Sequence, residues 1–163
     1  LLGLPYTGGP LVDKSAKQGD PNSFFFAEPQ IAELDFSFSG LKTSVLYFLQ
    51  KEVRKNPQFV EENLANLCAS IQKTIIDILL KKLEKAAKKY GVTEIALAGG
   101  VSANSELRER FNALGEKNNW KAHIPKFEYC TDNAAMIAIA AHYKFLKGDF
   151  TTQDAEPLAR WGL

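Results

Sequence analysis

Apolar residues recur at steps of three and four through Leu64, Leu67, Ile71, Ile75, Ile78, Leu79 and Leu83. That rhythm predicts one long helix, or two in tandem, from Phe59 to Tyr90 with Gly91 closing it. A second helix is expected from about Leu41 to Lys55, on Leu41, Val45, Phe48 and Leu49, ended by Asn56-Pro57. Between Glu33 and Ser39 the period changes to two. Leu34, Phe36 and Phe38 alternate with Asp35, Ser37 and Ser39, the pattern of a half-buried strand whose hydroxyl row lines a cleft or faces water. Leu1 to Pro29 is punctuated by turn formers, with room for one short helix from Pro10 to Gln18.

The stretch Glu94 to Arg108 carries the most chemistry. Glu94-Ile95-Ala96-Leu97-Ala98 reads as a short strand buried on both faces. Gly99-Gly100 follows, Ser102 stands at the expected helix N-cap, and Ser105 to Lys117 continues as a polar helix with Leu107, Phe111 and Leu114 on one side. Strand, Gly-Gly turn and helix start in that order can receive a phosphate. Glycine lets the backbone approach, and the first free N–H groups of a helix point at an anion. The same order also serves tight helix–strand packing alone. A second pair, Gly8-Gly9, precedes the Pro10–Gln18 helix with Asp13 one turn in, either a second glycine-helix site with a carboxylate or a surface loop with a helix-start acid favoured by the macrodipole.

Downstream, Trp120 to Pro125 is a strand candidate. Thr131 or Asp132 is expected to cap a helix whose Ala134, Ala135, Ala138, Ala140 and Ala141 permit close packing on a sheet. Gly148 to Leu163 has no strong period and is expected to lie over the surface. Strands and helices alternate without an internal repeat, so the fold class is α/β: one lobe with a mixed sheet and helices on both sides. Its core is expected to be led by Phe36, Phe38, Ile71, Ile75, Ile95, Leu97 and Ile137.

Composition narrows the function classes. Twenty basic residues against nineteen acidic leave a net charge of +1, so no global field recruits nucleic acid. Lys81, Lys82, Lys85, Lys88 and Lys89 crowd the end of the long helix, as a dipole-matched solvated terminus or as a local RNA-facing patch. Cys68 and Cys130 lie far apart without a CxxC spacing, which fits a reducing cytoplasm and neither a disulfide scaffold nor a structural zinc site. No apolar run reaches the length of a membrane span. The chain opens on Leu1 and its only methionine is Met136, so it reads as a piece of a longer protein.

Four stretches occurring in order carry a resemblance that none carries singly. They are Tyr6-Thr7-Gly8-Gly9-Pro10, Asp35-Phe36-Ser37-Phe38-Ser39-Gly40-Leu41-Lys42-Thr43, Ala98-Gly99-Gly100-Val101-Ser102-Ala103-Asn104, and Cys130-Thr131-Asp132-Asn133-Ala134-Ala135-Met136. The set resembles the tRNA threonylcarbamoyladenosine transferases, the bacterial TsaD group once described as glycoproteases. The resemblance implies an actin-like ATPase fold of the hexokinase, Hsp70 and actin superfamily, with this chain as the C-terminal portion and the N-terminal lobe absent. It implies transfer of threonylcarbamoyl from threonylcarbamoyl-AMP to the adenosine beside the anticodon of tRNAs reading ANN codons. It also implies a cytoplasmic setting, the partner proteins TsaB and TsaE, and a divalent metal, iron ahead of zinc.

Carried over position by position, the resemblance makes Gly9, Asp13 and Asn104 contacts of the adenylate or an ATP-type nucleotide. Gly99 and Gly100 fall where phosphates meet the backbone, and Asp132 matches a metal ligand. Two histidines spaced His-x-x-x-His complete the metal set in the family, and no such pair exists here; His123 and His142 are isolated. An upstream acid and a first phosphate loop are also lacking. No catalytic residue is therefore assignable within the chain, and neither turnover nor tight metal binding is expected of it alone. Apolar surface meant for another lobe is expected to favour self-association. Two competing readings stay open: a phosphotransferase of the sugar- or acetate-kinase kind on the same fold, and a binding lobe without chemistry. A protease is disfavoured, because neither a Ser-His-Asp set nor a His-Glu-x-x-His pair is present.

Overall fold

A computed structural model describes residues 1–29 and 31–157. In chain order the elements are α1 (Gly8–Ala16), α2 (Phe38–Lys55), the single turn α3 (Phe59–Glu62), α4 (Leu64–Tyr90), β1 (Glu94–Ala96), α5 (Ser105–Asn118), β2 (Lys121–His123) and α6 (Ala134–Leu146). Tight 3-10 turns lie at Gly100–Ala103 and Phe127–Tyr129. The long periodic stretch therefore resolves as two helices in tandem, one short and one long, with Asn63 between them.

Three hydrophobic clusters meet on α4. Its Ile76, Leu80 and Ala87 pack with Ile95 of β1 and with Leu107, Phe111 and Leu114 of α5. Its Leu67 and Ile78 pack with Leu41, Val45 and Leu49 of α2 and with Phe26 from the preceding loop. Its Cys68 and Ala69 pack with Ala16 of α1. Aromatic edges fill the second cluster: Phe24 and Phe26 meet Phe48 at ring-centroid distances of 5.4 and 5.5 Å.

β1 and β2 pair in parallel, with Ile95 opposite Ala122, and α5 makes the crossover between them. This βαβ unit is where the strand readings of Glu94–Ala98 and Trp120–Pro125 hold, in shortened form. The expectation of burial on both faces does not. Ile95 points into the first cluster while Glu94 and Ala96 are exposed, because among the described residues helices cover one face of the pair. Among the described residues the sheet is two parallel strands, not the mixed sheet with helices on both sides that alternation suggests.

The segment from Glu33 to Ser39 corrects the second strand reading. Glu33 takes a left-handed φ of 54° in a turn, and α2 already begins at Phe38. An alternating pattern becomes a strand only where a neighbouring edge accepts its hydrogen bonds. Here the lysines of α4 take the loop carbonyls instead. Lys82 donates to the carbonyls of Ile31 and Glu33 at 3.0 and 2.9 Å. Lys89 pairs with the Glu33 carboxylate at 2.8 Å, and Lys81 with Glu28 at 2.7 Å. Phe36 and Phe38 consequently leave the core and stack on each other near the surface, centroids 5.7 Å apart.

α6 corrects the expectation of a helix packed on a sheet. None of its residues is buried, and Ile137 is 74% exposed. Its alanines permit close packing, but the two-stranded sheet offers it no surface. Of the expected core, Ile95 is buried, while Ile71, Ile75 and Leu97 border the clusters. Residues 148–157 are exposed, as expected of the C-terminal stretch, and its last six residues lie outside the described residues.

Polar groups join α4 to α5 beside the first cluster. Asp77 on α4 accepts hydrogen bonds from Arg110 on α5 and from Lys73 one turn away at 3.0 Å. Partial burial of Asp77 opposes its ionisation, but the hydrogen bonds and charges of Arg110 and Lys73 outweigh that and hold its pKa below the usual carboxylate value. A depressed folded-state pKa contributes stability that is present above the unfolded value, about 3.9 for Asp, and is lost as pH falls through the folded value. Asp77→Asn is therefore expected to lower stability at neutral pH and to flatten the loss of stability below about pH 4. Urea midpoints measured from pH 7 to pH 2.5 check this, and parallel profiles for the two proteins would refute it.

Gly19 follows α1 where the chain passes over α4. A Cβ built there would collide with the Ala65 carbonyl and stand 2.7 Å from the Asn66 amide nitrogen, both backbone atoms that cannot step aside. Gly19→Ala is expected to destabilise the fold by about 1–3 kcal/mol, as overpacking does in a tight interior. A denaturant midpoint unchanged from the parent would show that the loop yields.

Candidate functional site

The turn between β1 and α5 is built around two residues, Gly99 and Ser102. Gly99 has φ 82° and ψ 176°, a region open in practice to glycine alone. Ser102 is fully buried, and its hydroxyl donates to the Gly99 carbonyl at 2.6 Å while its backbone N–H donates to the same oxygen at 3.0 Å. Ser102 thus closes the turn and does not cap α5. The cap is Asn104, whose Oδ1 accepts from the Leu107 N–H at 2.9 Å.

Asn104 is held from its other end as well. Its Nδ2 donates to Gln72 Oε1 at 2.6 Å, and Gln72 Nε2 donates to Glu106 at 2.9 Å. Gln72 is 5% exposed, an amide among the apolar faces of α4, and both its polar atoms are satisfied by the start of α5. Asp13 reaches across from α1. Its two carboxylate oxygens accept from the Ser105 N–H at 3.2 Å and the Ser105 hydroxyl at 3.0 Å. The negative charge at the α5 N-terminus is therefore the chain's own carboxylate, where the sequence pattern placed a phosphate.

The Gly-Gly turn itself stays open. Cβ atoms built on Gly8, Gly9, Gly99 and Gly100 would meet nothing within 4 Å, so close packing among the described residues does not require these glycines. Of these four, only Gly99, with its positive φ, is demanded by backbone conformation. Gly9, Gln72, Val101 and Asn104 line a common cavity of about 240 Å³ between α1, α4 and the turn. A larger cleft of about 580 Å³ lies beside it, with Leu2, Leu4, Val12 and Val45 on its walls and Lys42 its one charged lining residue.

The structure thus brings Gly9, Asp13 and Asn104 together, with Gly99 and Gly100 on the adjoining turn. Asp132 lines neither cavity. The α6 cap is Asn133, which accepts from the Met136 N–H at 3.0 Å, and not Thr131 or Asp132. Asp132 is exposed and outside the capping arrangement. Among the described residues no three His, Cys, Asp or Glu side chains gather where they could hold a metal ion, so these residues do not by themselves fit a metal centre. No helix is long and apolar enough to cross a membrane among the described residues.

Sequence reasoning missed Gln72 and Arg108. The signal for Gln72 was an amide surrounded by apolar neighbours within a buried helix. The signal for Arg108 was a guanidinium in the first turn of α5, where the macrodipole disfavours a cation unless it has local acceptors.

Comparison with known proteins gives this geometry its context. A family model described as TsaD, tRNA N6-adenosine threonylcarbamoyltransferase, matches residues 1–139. A protein of that name from Christiangramia forsetii is 58% identical over 150 residues, covering 92% of this chain and 44% of the relative. One from Riemerella anatipestifer is 54% identical over 163 residues, covering 100% and 48%, and one from Porphyromonas gingivalis is 52% identical over 160 residues, covering 98% and 47%. The chain spans about half the length of the curated relatives it matches. A family match over most of the chain, with identities above half in these relatives, settles its membership: the chain belongs to the TsaD family of tRNA N6-adenosine threonylcarbamoyltransferases.

Proposed function

We propose that this chain is the C-terminal half of an enzyme that transfers threonylcarbamoyl from its adenylate to the N6 amino group of an adenosine in tRNA. The observation that carries the reading is the placement of four glycines with open space where a Cβ would stand, beside a cavity that Gly9 and Asn104 share. Unfilled glycine backbone next to fixed polar groups is what a phosphate- or ribose-bearing ligand requires. In this reading Gly99 and Gly100 admit the phosphate, Gly9 and Asn104 border the nucleoside, and Asp13, bonded to Ser105 at the start of α5, is a further nucleotide contact. The cavity is small for a whole adenylate, which agrees with a ligand held between two lobes of an actin-like fold.

Asp132 is carried in the proposal as a single carboxylate ligand of iron or zinc, its companions coming from polypeptide outside this chain. The cytoplasm as setting, tRNA as acceptor and TsaB and TsaE as partners belong to the same proposal. So does self-association, for which the exposed Ile137, Tyr143 and Phe145 of α6 supply apolar surface.

Two substitutions test the site in the protein at the length of its relatives. Gly100→Val is expected to fold normally, since its side chain has open space, and to weaken threonylcarbamoyl-AMP binding at least tenfold by calorimetry, with tRNA modification falling in step. Binding and transfer equal to the parent would remove the Gly-Gly turn from the site.

Asn104→Ala is expected to do two things, because the residue is both cap and cavity wall. Loss of the cap should lower stability by about 0.5–2 kcal/mol. Loss of a neutral hydrogen bond should weaken adenylate binding by about 0.5–1.5 kcal/mol. A thermal melt together with a titration separates the two, and a stability loss without any change in affinity would make Asn104 purely structural.

A further inference from the structure

Among the described residues, Arg108 is the side chain that ties the Gly-Gly turn to the segment leading to Asp132. It leaves α5 one turn after the Asn104 cap and does not point to solvent. Its Nη1 donates to the Ser102 carbonyl at 2.9 Å and to the Cys130 sulfur at 3.6 Å, and its Nη2 donates to the Pro125 carbonyl at 2.8 Å. Cys130 is buried, and its thiol donates in turn to the Lys126 carbonyl at 3.6 Å. Three pieces of chain that share no strand or helix thus converge on one planar cation: the 3-10 turn at Gly100–Ala103, the end of the extended run after β2, and the 3-10 turn at Phe127–Tyr129.

The chemistry favours this residue type at this place. A guanidinium presents several donors in a fixed fork, so it can satisfy separate acceptors at once without moving, whereas an ammonium is a point donor on a flexible stem. The two carbonyls it joins belong to irregular backbone with no ladder to pair into, so each bond supplies order that secondary structure does not. Ser102 braces the turn from inside through Gly99, and Arg108 braces it from outside through the Ser102 carbonyl. The shape presented by Gly99 and Gly100 therefore depends on both. Glu94 and Glu106 are engaged elsewhere, with His123 and with Gln72 and Arg110. Arg108 is held by neutral acceptors and does not form part of the charged chain along α4.

We propose that Arg108 is a positioning residue for the nucleotide site, fixing the Gly99–Ala103 turn in its ligand-accepting shape and coupling it mechanically to the Lys126–Asn133 segment. The proposal rests on the adenylate-binding reading of the turn. It assigns Arg108 no contact with ligand. Occupancy of the turn should tighten the Cys130 segment, and loss of the fork should loosen both together.

The test uses the protein at the length of its relatives, with threonylcarbamoyl-AMP as the probe and a thiol reagent followed by peptide mass mapping as the second readout. In the parent, saturating adenylate is expected to slow modification of Cys130 several-fold more than that of Cys68, which is buried in the α1–α4 cluster and has no bond to Arg108 among the described residues. Arg108→Lys is expected to raise the adenylate Kd at least tenfold, to speed Cys130 modification without ligand, and to abolish the ligand-dependent protection of Cys130. Arg108→Gln should do the same more severely. A parent that fails to bind adenylate overturns the reading of the site itself. A parent that binds, yet protects both thiols equally, overturns the coupling even if neither variant folds. An Arg108→Lys protein with unchanged Kd overturns the positioning role.

Discussion

Everything in this fold leans on the burial of a single helix from three directions. α4 offers Leu67 and Ile78 to α2, Cys68 and Ala69 to α1, and Ile76, Leu80 and Ala87 to β1 and α5. An isolated helix of this length gains little from propensity alone, so its stability comes from these contacts, and theirs from it. The requirement shows in the residues at the crossings. Gly19 has no side chain because the chain there rests on α4 backbone, and Gln72 is tolerated inside because both ends of its amide are taken. A buried amide with one partner missing would cost more than an apolar side chain in its place.

From that anchor the site is reached in two steps. Gln72 fixes Asn104, Asn104 starts α5, and the start of α5 receives Asp13 from α1. Asp13 and Asn104, read from sequence as ligand contacts, thus also join α1, α4 and α5. Asn104 both caps a helix and lines a cavity, so a substitution there disturbs both.

The strongly periodic parts of the sequence were legible. α2 and α4 follow from apolar spacing, and the βαβ unit follows from an apolar run, two glycines and a polar helix. What was not legible depended on partners distant in sequence. Alternation at Glu33–Ser39 was read as a strand, but lysines some fifty positions later took the loop carbonyls, as with Lys82 and Glu33. The expected caps stand one or two residues from the observed ones, Ser102 for Asn104 and Thr131 or Asp132 for Asn133, because hydroxyl, amide and carboxylate side chains all suit a helix start and only geometry chooses between them. α6 was read as packed because alanine-rich helices generally are, and nothing local reveals that a two-stranded sheet leaves it no seat. The candidate site residues were identified through a resemblance spread over four stretches. What brings Gly9, Asp13 and Asn104 together is a set of contacts through Gln72 and Ser105 that no spacing encodes.

The placement of α4 also bears on how the molecule opens. At 1.5 Å per residue the helix is about 40 Å long, and no cluster on it can dissolve without exposing part of its neighbour. Amide hydrogens along α4, α5 and the two strands should therefore exchange together, through one concerted opening. α6 lies outside that unit. Its amides, closed by the helix's own hydrogen bonds and the Asn133 cap, belong to a separate and shallower opening, so the described residues have two cooperative levels.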